Sequence, residues 1–179
     1  EGDYWKSIAT VSSLDRAMLA PKHAKATLEA GFTTVRDVGA SDYVDVALRN
    51  AIGRGDIPGP RMQVAAMGLG STGGHFDESR LSPFLEIHGF TGIADGEDQI
   101  RKLIRDEIKH GADVIKLCAT GGVMSQGDGV GTPQLTLAEM KAAVDEAVRA
   151  ERKVAAHAHG NLGIREAIEA GVHSIEHGS

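Results

Sequence analysis

The chain has 179 residues and a mass of 18.8 kDa, which is enough for one domain with a hydrophobic core but not for two. Its 41% apolar and 25% charged residues argue against intrinsic disorder, and no run of about 18 apolar residues is present that could cross a membrane. A net charge of −6 argues against nucleic acid as a partner. The single cysteine excludes an internal disulfide and, with no secretory signal pattern, favours the cytoplasm.

The predicted elements alternate between helix and strand along the chain. Helical periodicity and glycine stop signals predict helices at 13–20, 22–30, 43–54, 97–110, 136–151 and 161–170, with an interruption at Pro21. Short runs rich in β-branched residues predict five strands at 32–37, 61–67, 112–119, 153–159 and 172–177. The connection at 68–94 is long enough to be either functional or disordered.

This alternation decides the expected fold class. Strands that alternate with helices predict βαβ units and therefore an α/β fold with a parallel sheet. Such a sheet is covered on both faces or closed into a barrel, and in both cases the chemistry lies at the carboxyl ends of the strands. We treat 1–179 as one partial domain in which 1–23 is an N-terminal helical segment.

Polar side chains stand near the carboxyl ends of the predicted strands. They are Asp37, His75, Lys116, His157, His159 and His177. Lys116 interrupts an otherwise apolar strand, where a lysine is rarely buried unless it is paired. It either reaches solvent or a carboxylate, or it acts as a base, an imine former or a modified ligand.

The histidines near the last two strands suggest a site that holds a shared metal or a substrate. His157 and His159 lie two residues apart on one strand, so both side chains point to the same face, and His177 follows at the end of the next strand. Imidazole is a common ligand of zinc and similar divalent ions. We interpret the other histidines as structural or as parts of helix and loop surroundings: His23, His88, His110 and His173.

Six short motifs, in this order, resemble the amidohydrolase superfamily, and more narrowly its branch related to imidazolonepropionase and the Xaa-Pro dipeptidases (prolidases). They occupy 31–37, 71–75, 112–117, 119–123, 156–160 and 174–178, so the resemblance covers roughly 24–179. It implies a (β/α)8 barrel of the TIM type, incomplete here, in which the five strands are about strands 2 to 6 of eight. The family's His-X-His of strand 1 and aspartate of strand 8 have no counterpart in this sequence.

The resemblance also implies roles for the polar residues of the site. Lys116 would be a lysine carboxylated by carbon dioxide, and this carbamate, His157 and His177 would bind one or two zinc or similar divalent ions. His159 would be a catalytic or substrate-contacting group, although the roles of His157 and His159 could be exchanged.

Further residues would contact the substrate. His75 would face it as a catalytic group that polarises the carbonyl or holds a carboxylate. The glycines Gly74, Gly121 and Gly122 would let the backbone approach the substrate, and residues 36–37 would brace the barrel.

The implied activity is metal-dependent hydrolysis of amide or peptide bonds in small substrates, by metal-bound hydroxide. Xaa-Pro dipeptides and N-acyl amino acids are the expected substrates, with no nucleic acid or membrane partner. The alternatives are a cyclic amide hydrolase similar to imidazolonepropionase, a barrel enzyme in which Lys116 forms a Schiff base, and a non-catalytic fragment. The chain looks like an internal piece of a longer enzyme, so alone we expect it to be inactive and to form a homo-oligomer or associate with the missing barrel segments.

Overall fold

The computed structural model describes residues 6–7, 10–77, 82, 84, 92–125 and 129–179. Within these ranges the strands are β1 (Thr34–Asp37), β2 (Arg61–Val64), β3 (Leu69–Gly70), β4 (Gly92–Ile93), β5 (Val114–Cys118), β6 (Lys153–Ala158) and β7 (Ser174–His177). The α-helices are α1 (Ser13–Glu29), α2 (Val44–Arg54), α3 (Glu97–Lys109), α4 (Leu137–Arg149) and α5 (Asn161–Ala170), and a short 3-10 helix, Ser41–Tyr43, precedes α2. No helix in these described ranges is both long and apolar enough to span a membrane.

Every strand pairing in the described residues is parallel. One ladder joins β1 to β2, and a second has the order β4-β3-β5-β6-β7. The two ladders continue into each other, because the Asp113 backbone N–H donates to the Val64 carbonyl at 2.8 Å and Leu69 lies in register with Leu117. The segments β2 and β3 therefore act as one bent strand beside β5. This arrangement confirms the predicted partial parallel barrel.

The strands are shorter than the sequence predicts, and two of them were not foreseen. β3 and β4 lie in the connection predicted as loop 68–94, and each has two residues. A strand of two residues is too short to show a period-2 pattern in the sequence. It forms because of hydrogen bonds to neighbouring strands, not because of the strand propensity of its own residues.

Helix α1 runs unbroken through Pro21, so the predicted interruption there was wrong. A proline inside a helix removes one backbone hydrogen bond and strains the preceding turn. The helix nevertheless continues, because the reciprocal hydrogen bonds between Ser12 and Asp15 hold its start and its second half buries Ala24 and contacts α2.

The helices that follow the long connection begin where the sequence indicates. Thr136 and Glu139 form the expected reciprocal cap at the start of α4. Glu139 also accepts a hydrogen bond from the Gly96 backbone N–H at 2.8 Å, which ties the starts of α3 and α4 together. The two helices then pack side by side over the sheet.

The hydrophobic core lies between the sheet and the helices that cover its outer face. Strand β5 is buried at all five positions and β6 at all but its first. The largest fully buried side chains of the sheet and of α3 and α4 include Val64, Leu69, Ile100, Ile104, Leu117, Met140 and Val154. The apolar layer thus holds β5, β6 and β7 in place, and the polar side chains that remain in these strands face inward.

The inner face curves enough to bring its outer strands into contact. Arg36 in β1 donates to the Glu176 carboxylate in β7 at 2.6 Å and to the Ser174 hydroxyl at 3.1 Å. These residues lie 138 and 140 positions apart in the chain. The contact agrees with the expected bracing role of Arg36, whereas Asp37 accepts a hydrogen bond from the nearby Gly39 N–H.

Candidate metal centre

Strand register places the polar residues of β5, β6 and β7 on one face. Cys118 is in register with His157, and His157 with Glu176. Directly paired residues of a parallel sheet point to the same side, and residues two apart on a strand do so too, so Lys116 lies on this face as well. Lys116 and His157 are each only 3% exposed. The carboxyl end of the sheet therefore has a buried polar inner face.

Four imidazoles meet at this end of the sheet, with His157 at their centre. The ring centroid of His157 is 4.4 Å from that of His75, 4.8 Å from that of His159 and 4.9 Å from that of His177. The rings of His159 and His177 stack at 5.4 Å. The structure thus brings together the histidines that the sequence indicates after three different strands.

The backbone conformation of His177 places its ring in this cluster. In register it pairs with Ala158, so regular alternation would send its side chain to the face opposite to that of Glu176. Its φ of 69° lies in the left-handed region and ends the regular strand. The ring consequently lies beside His157 and His159, at an exposed position.

The hydrogen bond of His157 determines which of its nitrogens can bind a metal. Its Nε2 lies 3.2 Å from the Gly121 carbonyl oxygen, which can only accept, so Nε2 carries the proton and Nδ1 carries the lone pair. Burial lowers the pKa of His157 to about 3, and the charges of His75, Lys116 and His159 act in the same direction. A neutral imidazole whose other N–H donates to a backbone carbonyl is the usual form of a metal-binding histidine.

Lys116 is enclosed rather than solvated. Its Nζ lies 5.2 Å from the centre of the Phe76 ring, and no ion pair involves it within the described part of the chain. Burial lowers the pKa of its amine, partly opposed by Cys118 and Glu176. The sequence left open whether the Lys116 side chain reaches solvent. Its burial in the structure shows that it does not.

Two hydroxyl residues missed by the sequence interpretation position the histidines. The Thr120 hydroxyl accepts the His159 backbone N–H at 2.9 Å and donates to the Gly121 carbonyl at 2.8 Å. The Ser125 hydroxyl accepts the Gly122 N–H at 2.9 Å and lies 2.7 Å from Nδ1 of His75. Both lie in the glycine-rich loop after β5. The glycines indicate that this loop is functional, but nothing in the sequence shows that these two hydroxyl residues contact the histidines.

The predicted substrate glycines differ in their distance from the imidazoles. A Cβ at Gly122 would lie 2.5 Å from Cε1 of His75 and 2.8 Å from Cε1 of His157, and Gly121 contacts His157 through its carbonyl. Gly74 packs instead against Ser71 and Gln134, where a Cβ would lie 3.0 and 2.9 Å from the nearest oxygens. Gly121 and Gly122 border the centre, whereas Gly74 shapes the loop that carries His75.

The remaining histidines lie away from the cluster. His173 accepts the Val154 backbone N–H through Nδ1 at 3.1 Å, a structural contact, and His110 bonds to the Asp106 carbonyl at the end of α3. His23 lies on the exposed side of α1, and His88 is outside the described residues.

A cavity of about 670 Å³ opens beside His75. Its walls are mostly apolar and come from the first half of α1 and the residues before it, the loop after β1, the start of α2 and the segment that follows β3. They include Val11, Leu19, Val38, Val44, Phe76 and the guanidinium-bearing Arg16. The centre therefore adjoins a space large enough for a small organic molecule.

The donor set suits a divalent ion. Neutral imidazoles bind zinc and related ions, and burial lowers the pKa of the Lys116 amine, which favours the neutral form that reacts with carbon dioxide. His157 has its second nitrogen bound to a carbonyl, as ligating histidines do. These residues fit the expected metal.

Known proteins resemble this chain in fold and in sequence. A curated relative, ochratoxinase from Aspergillus niger, is 38% identical over 190 residues, which cover 98% of this chain and 38% of the relative. The crystal structure of a Xaa-Pro dipeptidase with bound methionine is 39% identical with a TM-score of 0.89, over 94% of this chain and 42% of that one. A prolidase in complex with N-methylphosphonate-L-proline is 34% identical with a TM-score of 0.89, over 99% and 45%.

The chain thus spans about two fifths of the length of these relatives. The profile of the Amidohydrolase family matches residues 5–179, which is nearly the whole chain. Together with the parallel sheet and the relatives above 30% identity, this match identifies the chain as a member of the amidohydrolase family.

Proposed function

We propose that the protein containing this chain hydrolyses the amide bond between an acyl group and the nitrogen of an amino acid, as in Xaa-Pro dipeptides and N-acyl amino acids. The observation that carries the proposal is the cluster of four imidazoles beside a buried lysine at the carboxyl ends of parallel strands. The relatives include a Xaa-Pro dipeptidase and a prolidase with a proline phosphonate, which supports this substrate class.

His157, His177 and a carboxylated Lys116 would hold the metal, zinc or a similar divalent ion. When bound, the ion supplies a Lewis acid that polarises the scissile carbonyl and lowers the pKa of water. The neutral Lys116 amine would add to carbon dioxide and release one proton, which would give an anionic oxygen ligand in place of the amine. Burial favours the neutral amine that this addition needs.

The chain's own residues fix the geometry of the site. The Gly121 carbonyl holds the tautomer and orientation of His157, and Thr120 anchors the backbone of His159. His75, held by Ser125 and by the hydrogen bond from its backbone N–H to Gln134, lies between the cluster and the cavity. We assign His75 to the substrate carbonyl or carboxylate, and His159 to substrate contact or proton transfer.

The neighbouring cavity supports a small substrate with an apolar part. Apolar side chains line most of its wall, and Arg16 provides a positive charge that suits the carboxylate of an amino acid. The chain spans 38% of the curated relative, so we assign the remaining metal ligands and the proton-transferring aspartate to segments outside it.

The test uses the full-length protein and a panel of Xaa-Pro dipeptides, N-acyl amino acids and a cyclic amide. Hydrolysis of the first two classes should disappear after chelation and return with zinc. Lys116→Ala should lose most of this activity and regain part of it in acetate, because a small carboxylate can occupy the position of the carbamate. Lys109→Ala, which removes an exposed lysine of α3, is the matched control.

Activity that survives metal depletion would refute the proposal. Preferential turnover of the cyclic amide would favour the imidazolonepropionase-like alternative. Irreversible labelling of Lys116 by borohydride in the presence of a carbonyl substrate would favour the Schiff-base alternative, in which the four imidazoles have no shared role.

A further inference from the structure

The thiol of Cys118 is buried against two of the clustered imidazoles. One ligand atom from each of His75, Cys118 and His157 lies within 4.8 Å of the other two. Cys118 is fully buried and in register with His157, and the rings of His75 and His157 stack with centroids 4.4 Å apart. The hydrolytic centre proposed above uses neither Cys118 nor His75 as a metal ligand.

We propose that His75, Cys118 and His157 form a second metal site, selective for thiophilic ions such as Cd²⁺ and Hg²⁺, that overlaps the hydrolytic centre and excludes its metal. The geometry supports such a site, since zinc–nitrogen and zinc–sulfur bonds of about 2.0 and 2.3 Å bring ligand atoms to within about 4 Å of one another, and larger thiophilic ions tolerate a wider spacing. The three side chains need to close by about 1 Å around an ion.

The donor set explains the selectivity. A thiolate is a soft ligand that prefers soft ions, whereas a carbamate and imidazoles form a harder set. Binding replaces the thiol proton by the metal, so each ion bound releases one proton and forms one metal–sulfur bond. No oxidant or reductant takes part in this exchange.

Overlap makes the two sites mutually exclusive. His157 donates through Nε2 to the Gly121 carbonyl, so Nδ1 is its ligating nitrogen in either site. One lone pair cannot bind two ions. A thiophilic ion therefore displaces the hydrolytic metal, and this consequence rests on the proposed function, whereas the binding of the ion does not.

The experiment titrates the metal-free full-length protein with Cd²⁺ and follows the ultraviolet thiolate-to-cadmium charge-transfer band. The wild type should show this band and release one proton per ion. Cys118→Ser and Cys118→Ala should lose the band, with Cd²⁺ affinity lowered by at least the roughly tenfold that the loss of even an outer-shell partner costs. Circular dichroism checks that the variants are folded, and alanine preserves the apolar packing if serine does not.

Two histidine variants distinguish the two sites. His75→Ala should weaken Cd²⁺ binding, while His177→Ala should retain the charge-transfer band because His177 belongs to the other ligand set. A band unchanged in both Cys118 variants, or one lost in His177→Ala and kept in His75→Ala, overturns the proposal. Cd²⁺ binding with the expected band in a protein that cleaves none of the amide panel would leave this site standing and refute the proposed function.

Discussion

The imidazole rings of His75 and His157 leave no room for a side chain at position 122. Gly122 has an ordinary backbone conformation, so alanine introduces no torsional strain there. Its Cβ would nevertheless lie within 2.8 Å of carbon atoms in both His75 and His157, closer than carbon atoms approach without one moving. The glycine is required by the site rather than by the fold.

Gly122→Ala should therefore impair catalysis while leaving the protein folded. Displacing two site residues by a fraction of an ångström to 1 Å should lower kcat/KM by about 100-fold. The measurement is steady-state hydrolysis together with thermal unfolding. Gly53→Ala, a helical position where a Cβ has open space, is the control and should keep full activity. Full activity in Gly122→Ala would show that the His75 and His157 rings can move aside without impairing catalysis, which would contradict the prediction.

Helices α2 and α3 each direct a carboxylate at the bend between β2 and β3. Asp45 accepts the Ala66 N–H at 2.9 Å and Glu107 accepts the Met67 N–H at 3.1 Å. Ala66 has a φ of 59°, so the chain turns sharply here before it continues toward His75. The second carboxylate oxygen of Glu107, Oε1, is buried and has no hydrogen-bond partner among the described residues. Two helices thus hold a strained bend with buried acids.

Glu107 should make stability depend on pH. Burial raises its pKa to about 7, with Asp106 and Asp45 adding to the effect. Because the folded pKa lies above the unfolded one, its favourable contribution is present below about pH 4.5 and is lost as the pH rises through about 7. Glu107→Gln cannot titrate and avoids this loss. The free energy of unfolding of the variant, relative to that of the wild type, should therefore rise by about 2 kcal/mol from pH 5 to pH 8.

Urea unfolding of the full-length protein at the two pH values measures this gain. Glu97→Gln, an exposed position at the start of the same helix, should show no comparable change. Equal stability differences at both pH values would mean that the carboxyl of Glu107 does not titrate in this range.

At the scale of the whole molecule, an ion pair joins β1 to β7. Arg36 and Glu176 meet at 2.6 Å over the inner face, with side chains 36% and 21% exposed. Partial exposure weakens the attraction between their charges. Removing one residue would nevertheless leave the other as an uncompensated, partly buried charge. The pair therefore favours the curved form of the sheet over a flatter one.

A double-mutant cycle of Arg36→Met and Glu176→Gln should give a coupling energy of about 1 kcal/mol in the free energy of unfolding. Its magnitude should fall in high salt, since partly exposed charges are screened. Additive single-mutant effects at low salt would show that the contact does not stabilise the barrel.

The outer strands of the sheet also predict the behaviour of the 179-residue chain alone. In the described residues β1 and β7 each pair on one side, and a TIM barrel closes with eight strands. We expect the isolated chain to self-associate, because the outer edges of β1 and β7 are unpaired in the described residues. We also expect it to hydrolyse the amide panel poorly, because it spans about two fifths of the length of its relatives. Light scattering that shows a compact monomer would contradict this prediction.

The sequence by itself determined the fold class, the five barrel strands and most helix boundaries. These follow from local physics, because hydrophobic period, glycine stops and the Thr136–Glu139 cap act over a few residues. Motif order and histidine spacing also indicated which side chains belong near one another. Pro21 was misjudged because the cap and packing of α1 outweigh one missing hydrogen bond.

Only the tertiary structure decided how those side chains meet. The left-handed backbone of His177, the approach of Cys118 to His75 and His157, and the contact of Arg36 with Glu176 depend on strand register and sheet curvature. The same holds for the raised pKa of Glu107, which arises from burial between separate elements. Arg36 and Glu176, for example, are 140 positions apart in the chain. A local sequence pattern gives no information about which such distant residues are close in space.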